Sequence, residues 1–266
     1  GSWSMKLGAV YSQYDNSQSN YEVASRGYEH EFQVRSQELK ASFTGYPLVG
    51  HKIRFGANTI LHNLNQGLLQ PKGAESILMP IDFGSENGLE SAIHVSDEIG
   101  LTDQLNLYVG LRYSLFNYLG ANDVYSYKPD LPRLMENRLD TMNYGTGEFI
   151  QNYSGPEGRI ALNYTVSESF SIKASYNRMR QYLFMLSNTA AMSPTDRWKL
   201  VDPHIAPPVS DQYSIGFYQN FNNSSLETSA EFYYKTGDNI IEYKDGVDLT
   251  FSPDIETLVL QGKQGA

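Results

Sequence analysis

The residues of this sequence that could do chemistry are aromatic and charged side chains in its polar connecting segments. Tyr125, Tyr127 and Tyr144 lie in one such segment, and Arg197 and Trp198 lie in another. Aromatic rings with amides and carboxylates nearby suit stacking against a sugar ring or a planar chelate. We therefore predict that these five residues bind a small-molecule or oligosaccharide substrate. The alternative is that the rings pack the connections together.

Other polar residues fall on strand faces, where they could line a path for substrate. Arg112 is the strongest of these, although a charge paired with its neighbours would look the same in sequence. His62 and His94 also fall on polar faces and could approach each other in space. The five histidines show no metal-ligand spacing, so we predict no metal site.

The sequence lacks the motifs of the common enzyme classes. It has no G-x-S-x-G elbow, no H-E-x-x-H, no P-loop and no EF-hand spacing. It has no cysteine, which excludes a thiolate nucleophile or a disulfide framework. The net charge of −10 disfavours nucleic acid as a partner. We predict no catalytic residue, no cofactor and no nucleic-acid partner.

The elements that must position these residues are β-strands, because the dominant pattern has a period of two. Between Gln104 and Tyr118 the apolar residues alternate with polar or small ones. The same split recurs in ten or eleven segments: Trp3–Tyr11, Leu39–Phe43, Ile53–Leu61, Leu89–Val95, Gln104–Tyr118, Ile160–Tyr164, Phe170–Tyr176, Tyr213–Phe221, Leu226–Lys235, Asn239–Lys244 and a last strand from Glu256.

The connections between these strands alternate in length along the chain. Short turns are predicted at Tyr46–Gly50, Gly100–Asp103, Val166–Glu168 and Asn222–Ser225, and long polar connections at Gln13–Glu29, Asn63–Asn87, Tyr118–Glu157, Ser187–Asp211 and Asp245–Ile255. This alternation is typical of an up-and-down transmembrane barrel whose two rims face different compartments. Several long irregular loops are uncommon in a soluble domain.

The charges and the hydropathy agree with a membrane wall. An Arg or Lys on the lipid face costs roughly 2–4 kcal/mol near the bilayer midplane. The strand charges fall instead on the polar faces, at Lys52, Arg54, Arg112, Lys173, Glu227 and Glu231. A barrel needs only alternate residues to be apolar, so the mean hydropathy of −0.44 is compatible with it. On the other face, Tyr113, Tyr164, Tyr176, Tyr213, Phe217, Phe221 and Tyr234 are expected to meet lipid.

The segment from Trp198 to Lys244 resembles the barrel of TonB-dependent receptors, and especially the SusC-like transporters of the Bacteroidetes. The resemblance lies in Pro207-Pro208-Val209-Ser210-Asp211-Gln212-Tyr213-Ser214-Ile215-Gly216-Phe217, followed by an Asn-rich turn and by Glu227 to Lys235. Asp238-Asn239-Ile240-Ile241 and Ser171 to Arg178 also resemble that family. Many members carry Glu where this chain has Val209.

The resemblance implies a 22-stranded barrel, of which residues 1–266 would form one partial domain, without the plug and the closing strands. It implies outer-membrane uptake of a scarce nutrient such as a glycan or siderophore, energised by TonB–ExbB–ExbD through the plug. It also implies outer-membrane lipid around the barrel and a possible SusD-like surface lipoprotein as lid. A passive porin and a soluble carbohydrate-binding β-protein are the alternatives.

Overall fold

In a computed structural model, the chain forms an antiparallel sheet whose strands follow one another in chain order. The structure describes residues 2–186, 196–221, 226–247 and 251–265. The strands of these residues are β1 (Trp3–Asn20), β2 (Tyr28–Gly45), β3 (His51–Asn65), β4 (Leu68–Pro71), β5 (Ile81–Asp82), β6 (Ser85–Gly100), β7 (Leu105–Leu119), β8 (Asn122–Tyr127), β9 (Arg138–Tyr144), β10 (Phe149–Ser167), β11 (Phe170–Arg180), β12 (Leu183–Leu186), β13 (Arg197–Leu200), β14 (Val209–Phe221), β15 (Leu226–Tyr243) and β16 (Val259–Gly265).

Ten of these strands form the wall. Each pairs with the next wall strand in the order β1, β2, β3, β6, β7, β10, β11, β14, β15, β16. The links at one end of the sheet are short, with Leu101–Gln104 between β6 and β7 and Glu168–Ser169 between β10 and β11. The links at the other end contain the remaining elements. The predicted all-β, up-and-down wall is therefore confirmed.

The wall continues past β3 and β6 through two short strands. β4 extends β3 along β2, and β5 pairs with β4. The step between β3 and β4 is made at Gly67, where φ is +79° and an added Cβ would clash with the carbonyl oxygen of Glu31. Glycine is favoured there because only it combines a positive φ with so close a backbone approach.

The two faces of the wall differ in polarity across neighbouring strands. The registers align Gly56, His94, Arg112 and Glu157 across β3, β6, β7 and β10 on one face. The neighbouring residue of each strand lies on the opposite face; these four aligned residues are Phe55, Val95, Leu111 and Gly158. The long connections fold against the polar face, so we assign that face to the lumen.

The apolar face is largely uncovered. Leu7, Leu39, Ile93 and Leu111 are 71%, 62%, 64% and 57% exposed. A soluble sandwich would bury such a face, whereas a barrel presents it to lipid. Of the rings expected at lipid, Tyr113, Tyr164, Tyr213, Phe221 and Tyr234 are all at least 40% exposed.

Several predicted strand limits are wrong. The segment Gln13–Glu29 is not a loop, because β1 runs to Asn20 and β2 begins at Tyr28. The predicted strand at Asn239–Lys244 is the end of β15, which is continuous from Leu226. Glu256 lies in a single-turn helix, α1 (Ile255–Leu258), and β16 begins only at Val259.

Three of the other long connections are also more ordered than predicted. Asn63–Asn87 contains β4 and β5, Tyr118–Glu157 contains β8, β9 and the start of β10, and Ser187–Asp211 contains β13 and the start of β14. The predicted turn at Asn222–Ser225 lies outside the described residues, as do parts of the connections predicted at Ser187–Asp211 and Asp245–Ile255.

The apolar core lies inside the lumen, where the β12–β13 hairpin packs on the wall. Phe116 of β7 is fully buried and stacks on Tyr182, with ring centroids 5.1 Å apart. The hydroxyl groups of Ser114 and Tyr182 are 2.8 Å apart. The cluster is completed by Leu64, Tyr118, Phe184, Leu186, Leu200, Val201, Ile205, Ile255 and Val259. The hairpin is therefore a packed part of the molecule. No helix of the described residues is long and apolar enough to cross a membrane.

Candidate functional site

The connections at the long-link end of the sheet meet around one pocket. Its volume is about 390 Å³, within the range of small-molecule sites. Four segments line it: the start of β6, the β8 strand, the β13 strand with the turn after it, and the residues around α1. The lining includes Asp82, Phe83, Glu86, Asp123, Tyr125, Arg197, Lys199, Asp202, Asp254 and Glu256.

A buried ion triad, formed by Glu86, Lys199 and Asp202, lines this pocket. The Lys199 ammonium, 3% exposed, lies 2.9 Å from Glu86 Oε1 and 2.6 Å from Asp202 Oδ2. Glu86 also accepts a hydrogen bond from the backbone N–H of Leu200, at 2.9 Å. Glu86 belongs to the wall, while the other three residues belong to β13 and its turn. The triad therefore joins the hairpin to the wall.

The electrostatics of Lys199 are set by these two carboxylates. Burial acts to lower the pKa of Lys199, but Asp202 and Glu86 outweigh it and hold that pKa well above the ordinary lysine value. Lys199 therefore stays charged and is already neutralised by its own neighbours.

The β8–β9 hairpin forms one side of the pocket. Two polar contacts, which we call the clasp, hold this hairpin to the segment around α1. The Tyr127 hydroxyl donates to Glu256 Oε1 at 2.9 Å, and Arg138 Nη2 lies 2.7 Å from Asp254 Oδ2. The Arg138 guanidinium also sits 3.6 Å above the Tyr125 ring. Burial and the nearby Glu256 carboxylate raise the pKa of Tyr127 to about 12, against the opposing effect of Arg138. Tyr127 is therefore a hydrogen-bond donor at neutral pH.

Arg197 is the second buried cation of the pocket. It is 7% exposed, and its guanidinium lies 4.4 Å from the centre of the Phe83 ring. Nη1 donates to the Ser252 carbonyl at 2.6 Å. Burial lowers the pKa of Arg197, with Glu86 and Tyr243 acting in the opposite direction.

The structure brings two of the six predicted binding residues to the pocket wall. Tyr125 and Arg197 both line it. Tyr127 lies beside it in the clasp. Trp198 points elsewhere and packs against the apolar core, and its carbonyl accepts a hydrogen bond from Gln66.

The remaining two do not line the pocket. Tyr144 is at the end of β9, where it pairs with Asn122, a residue of the pocket lining. Arg112 lies lower in the lumen, where it pairs with Glu90 at 2.8 Å and with Glu157 at 2.6 Å. This is the paired arrangement that the alternative interpretation of Arg112 anticipates. Substrate binding by the six residues stays a prediction.

The suggested approach of His62 and His94 is wrong. The register pairs His62 with Gly88 and His94 with Gly56, six positions apart along the strands, or roughly 20 Å. His62 instead contacts Ser36, at 3.0 Å, and Glu90, at 3.8 Å. Within the described ranges, no group of three or more His, Asp or Glu could hold a metal ion.

Sequence reasoning missed Glu86, Lys199 and Asp202. One signal was available: Lys199 and Asp202 flank Leu200 and Val201, and opposite charges around an apolar pair can mark a buried ion pair. Glu86 carried none, since its partner lies 113 positions away in the chain.

The comparisons with known proteins agree on the fold. The family model described as "TonB dependent receptor-like, beta-barrel" matches residues 1–261. No curated protein sequence matches the chain. Among solved structures, the copper transporter OprC superposes with a TM-score of 0.59 at 12% identity, over 91% of this chain and 37% of that one.

Two further proteins superpose comparably. The FrpB iron transporter of Neisseria meningitidis gives a TM-score of 0.57 at 10% identity, over 97% of this chain and 37% of that one. The P. aeruginosa protein FpvA, solved with bound iron–pyoverdine, gives 0.53 at 14% identity, over 91% and 32%. The chain therefore spans about a third of the length of these proteins.

A match to a TonB-dependent receptor-like β-barrel agrees with the outer-membrane localisation predicted from the sequence. The family match covers almost the whole chain, and the strand order, the two-faced wall and the alternating link lengths agree with it. This chain belongs to the TonB-dependent receptor-like β-barrel family.

Proposed function

We propose that this chain forms part of the barrel wall and the outer mouth of an energised nutrient transporter, and that the pocket between its long connections binds the cargo. The observation that carries the proposal is the convergence of four connections on one pocket of about 390 Å³. The buried Lys199 triad and the Tyr127 and Arg138 clasp fix its walls. Binding residues held by ordered connections on a rigid sheet are what a selective receptor needs.

The whole protein is a larger barrel in this proposal. Residues 1–266 supply one partial domain, and further strands and a plug complete the transporter. Energy comes from TonB–ExbB–ExbD acting through the plug, so this chain needs no catalytic residue. The SusC-like subtype and a SusD-like surface lid rest on the resemblance of the segment from Trp198 to Lys244.

The cargo is a small molecule or oligosaccharide. Among the similar proteins, OprC transports copper, FrpB transports iron and FpvA binds iron–pyoverdine. The cargo class of the present chain follows from the residues of its own pocket.

An uptake assay with the full-length gene tests the proposal. Cells with the gene as their only route for a panel of glycans and iron chelates should take up at least one of them. Uptake should stop when TonB is removed, and it should fall when Tyr125→Ala and Asp123→Ala alter the pocket. Uptake that continues without TonB would instead indicate a passive channel. Uptake indifferent to both substitutions would place the cargo site elsewhere.

A further inference from the structure

Arg197 is the cation of the pocket that lacks a carboxylate partner among the described residues. The ion pairs of those residues place Lys199 with Glu86 and Asp202, and Arg138 with Asp254. Arg197 is in none of them, although it is 7% exposed. Its bond to the Ser252 carbonyl occupies one of the five N–H donors that a guanidinium carries. A buried cation that forms no ion pair with the described residues is costly, so a ligand that supplies a carboxylate is favoured.

The position of Arg197 also suits a planar oxyanion. The Phe83 ring covers the guanidinium at 4.4 Å, which holds the cation in one orientation. A guanidinium held in this way can present two N–H groups to two carboxylate oxygens at once. A lysine at this place would offer only a point charge.

Three carboxylates around the same pocket form no ion pair with a cation of the described residues. Asp82 accepts from the backbone N–H of Gly84 at 2.8 Å. Asp123 accepts from Asn143 at 2.6 Å, and Glu256 accepts from Tyr127 at 2.9 Å. A carboxylate has about four acceptor sites, so each can take further hydrogen bonds from a ligand. These groups favour hydroxyl donors and repel a second negative charge.

We propose that the pocket takes a polyhydroxylated monocarboxylate, whose carboxylate binds Arg197 and whose hydroxyl groups donate to Asp123, Glu256 and Asp82. This proposal rests on the proposed function, because it names the cargo class of the same pocket. A polyanionic chelate fits poorly, since its extra charges face three carboxylates. A cationic ligand also fits poorly, since it leaves Arg197 without a counter-charge.

Three sugars that share one ring and differ in charge provide the test. D-glucuronate carries one negative charge, D-glucose is neutral and D-glucosamine is cationic. Their binding to the purified full-length protein in detergent is measured by calorimetry. Glucuronate should bind about tenfold or more tightly than glucose, because a charge-assisted pair with a buried guanidinium replaces a neutral hydrogen bond. Glucosamine should bind most weakly.

Variants then locate the preference. Arg197→Gln and the charge-conserving Arg197→Lys should both reduce glucuronate binding by a larger factor than they reduce glucose binding. Lys128→Gln, at an exposed position of the β8–β9 turn, removes the same charge and should retain the preference.

The proposal is overturned if the three sugars bind the wild-type protein equally, if glucosamine binds best, or if none binds. It is also overturned if Arg197→Gln keeps the preference for glucuronate. These results leave the proposed function standing as long as TonB-dependent uptake responds to the pocket substitutions. Loss of that response is what would remove the proposed function itself.

Discussion

Replacing Lys199 with Met should release the β12–β13 hairpin from the wall. The substitution removes the cation that lies 2.9 Å from Glu86 and 2.6 Å from Asp202. The side chains of these three residues are 3%, 13% and 10% exposed, so solvent screens the loss little. Removing one partner of a buried ion pair costs about 3–5 kcal/mol, because the other charge is left unpaired.

Hydrogen exchange of the β12 and β13 amides in the full-length protein measures this cost. Since about 1.4 kcal/mol corresponds to a factor of ten, amide protection should fall by roughly two to three and a half orders of magnitude. The amides of β7, which pair with β6 and β10 in the wall, should keep their protection.

A triple variant is the matched control. Lys199→Met combined with Glu86→Gln and Asp202→Asn removes all three charges but keeps acceptors for the N–H groups of Leu200 and Ile205. It should recover most of the lost protection, because buried ion pairs can often be replaced by neutral groups. Unchanged protection in Lys199→Met alone would refute the role assigned to the triad.

Three further outcomes are expected of the wall. Arg112→Met leaves the Glu90 and Glu157 carboxylates without their shared cation, and it should lower the free energy of unfolding by about 2 kcal/mol after solvent screening. The loss should appear as a lower temperature at which the barrel changes its migration in a heat-modifiability gel. An unchanged temperature would contradict the pairing. Leu111→Arg, on the lipid face, should cost roughly 2–4 kcal/mol and reduce assembly into the outer membrane. The control Asn106→Arg, on the lumen face of the same strand, should assemble normally. Equal assembly of the two variants would contradict the assignment of the two faces. Residues 1–266 alone should not fold in detergent as a heat-resistant barrel, because β1 and β16 have unpaired edges in the described sheet. Recovery of such a barrel would contradict this, since the two edges would then have to pair with each other.

The wall was predictable because the bilayer imposes a period of two on it. In β7 the alternation spans nearly the whole strand, and the faces predicted for Leu111 and Arg112 are confirmed. The apolar–polar alternation ends in the part of β1 and β2 that extends past the edge of the apolar face. There Gln13, Asp15 and Gln33 form hydrogen bonds across or along the strands, and both faces meet water. Without lipid on one side no hydrophobic period arises, so the sequence favoured a loop.

The candidate site was only partly predictable, because long-range contacts build it. Aromatic and cationic residues in the connections were sufficient to suggest Tyr125 and Arg197. Sequence could not show that Trp198 points to the core, because that depends on how the hairpin packs in the lumen. The hydrogen bond between Tyr127 and Glu256 was not predictable either, since the two residues are 129 positions apart in the sequence.

Chemical labelling in intact cells tests the central claim most directly, namely that the wall crosses the outer membrane with the long connections outside. The chain has no cysteine, so single cysteines can be introduced by Lys128→Cys in a long connection and Thr102→Cys in a short turn of the full-length protein, with any other cysteine removed. A membrane-impermeant maleimide should label position 128 in intact cells, and position 102 only after the outer membrane is permeabilised. Labelling of both positions in intact cells, or of position 102 alone, would contradict the account.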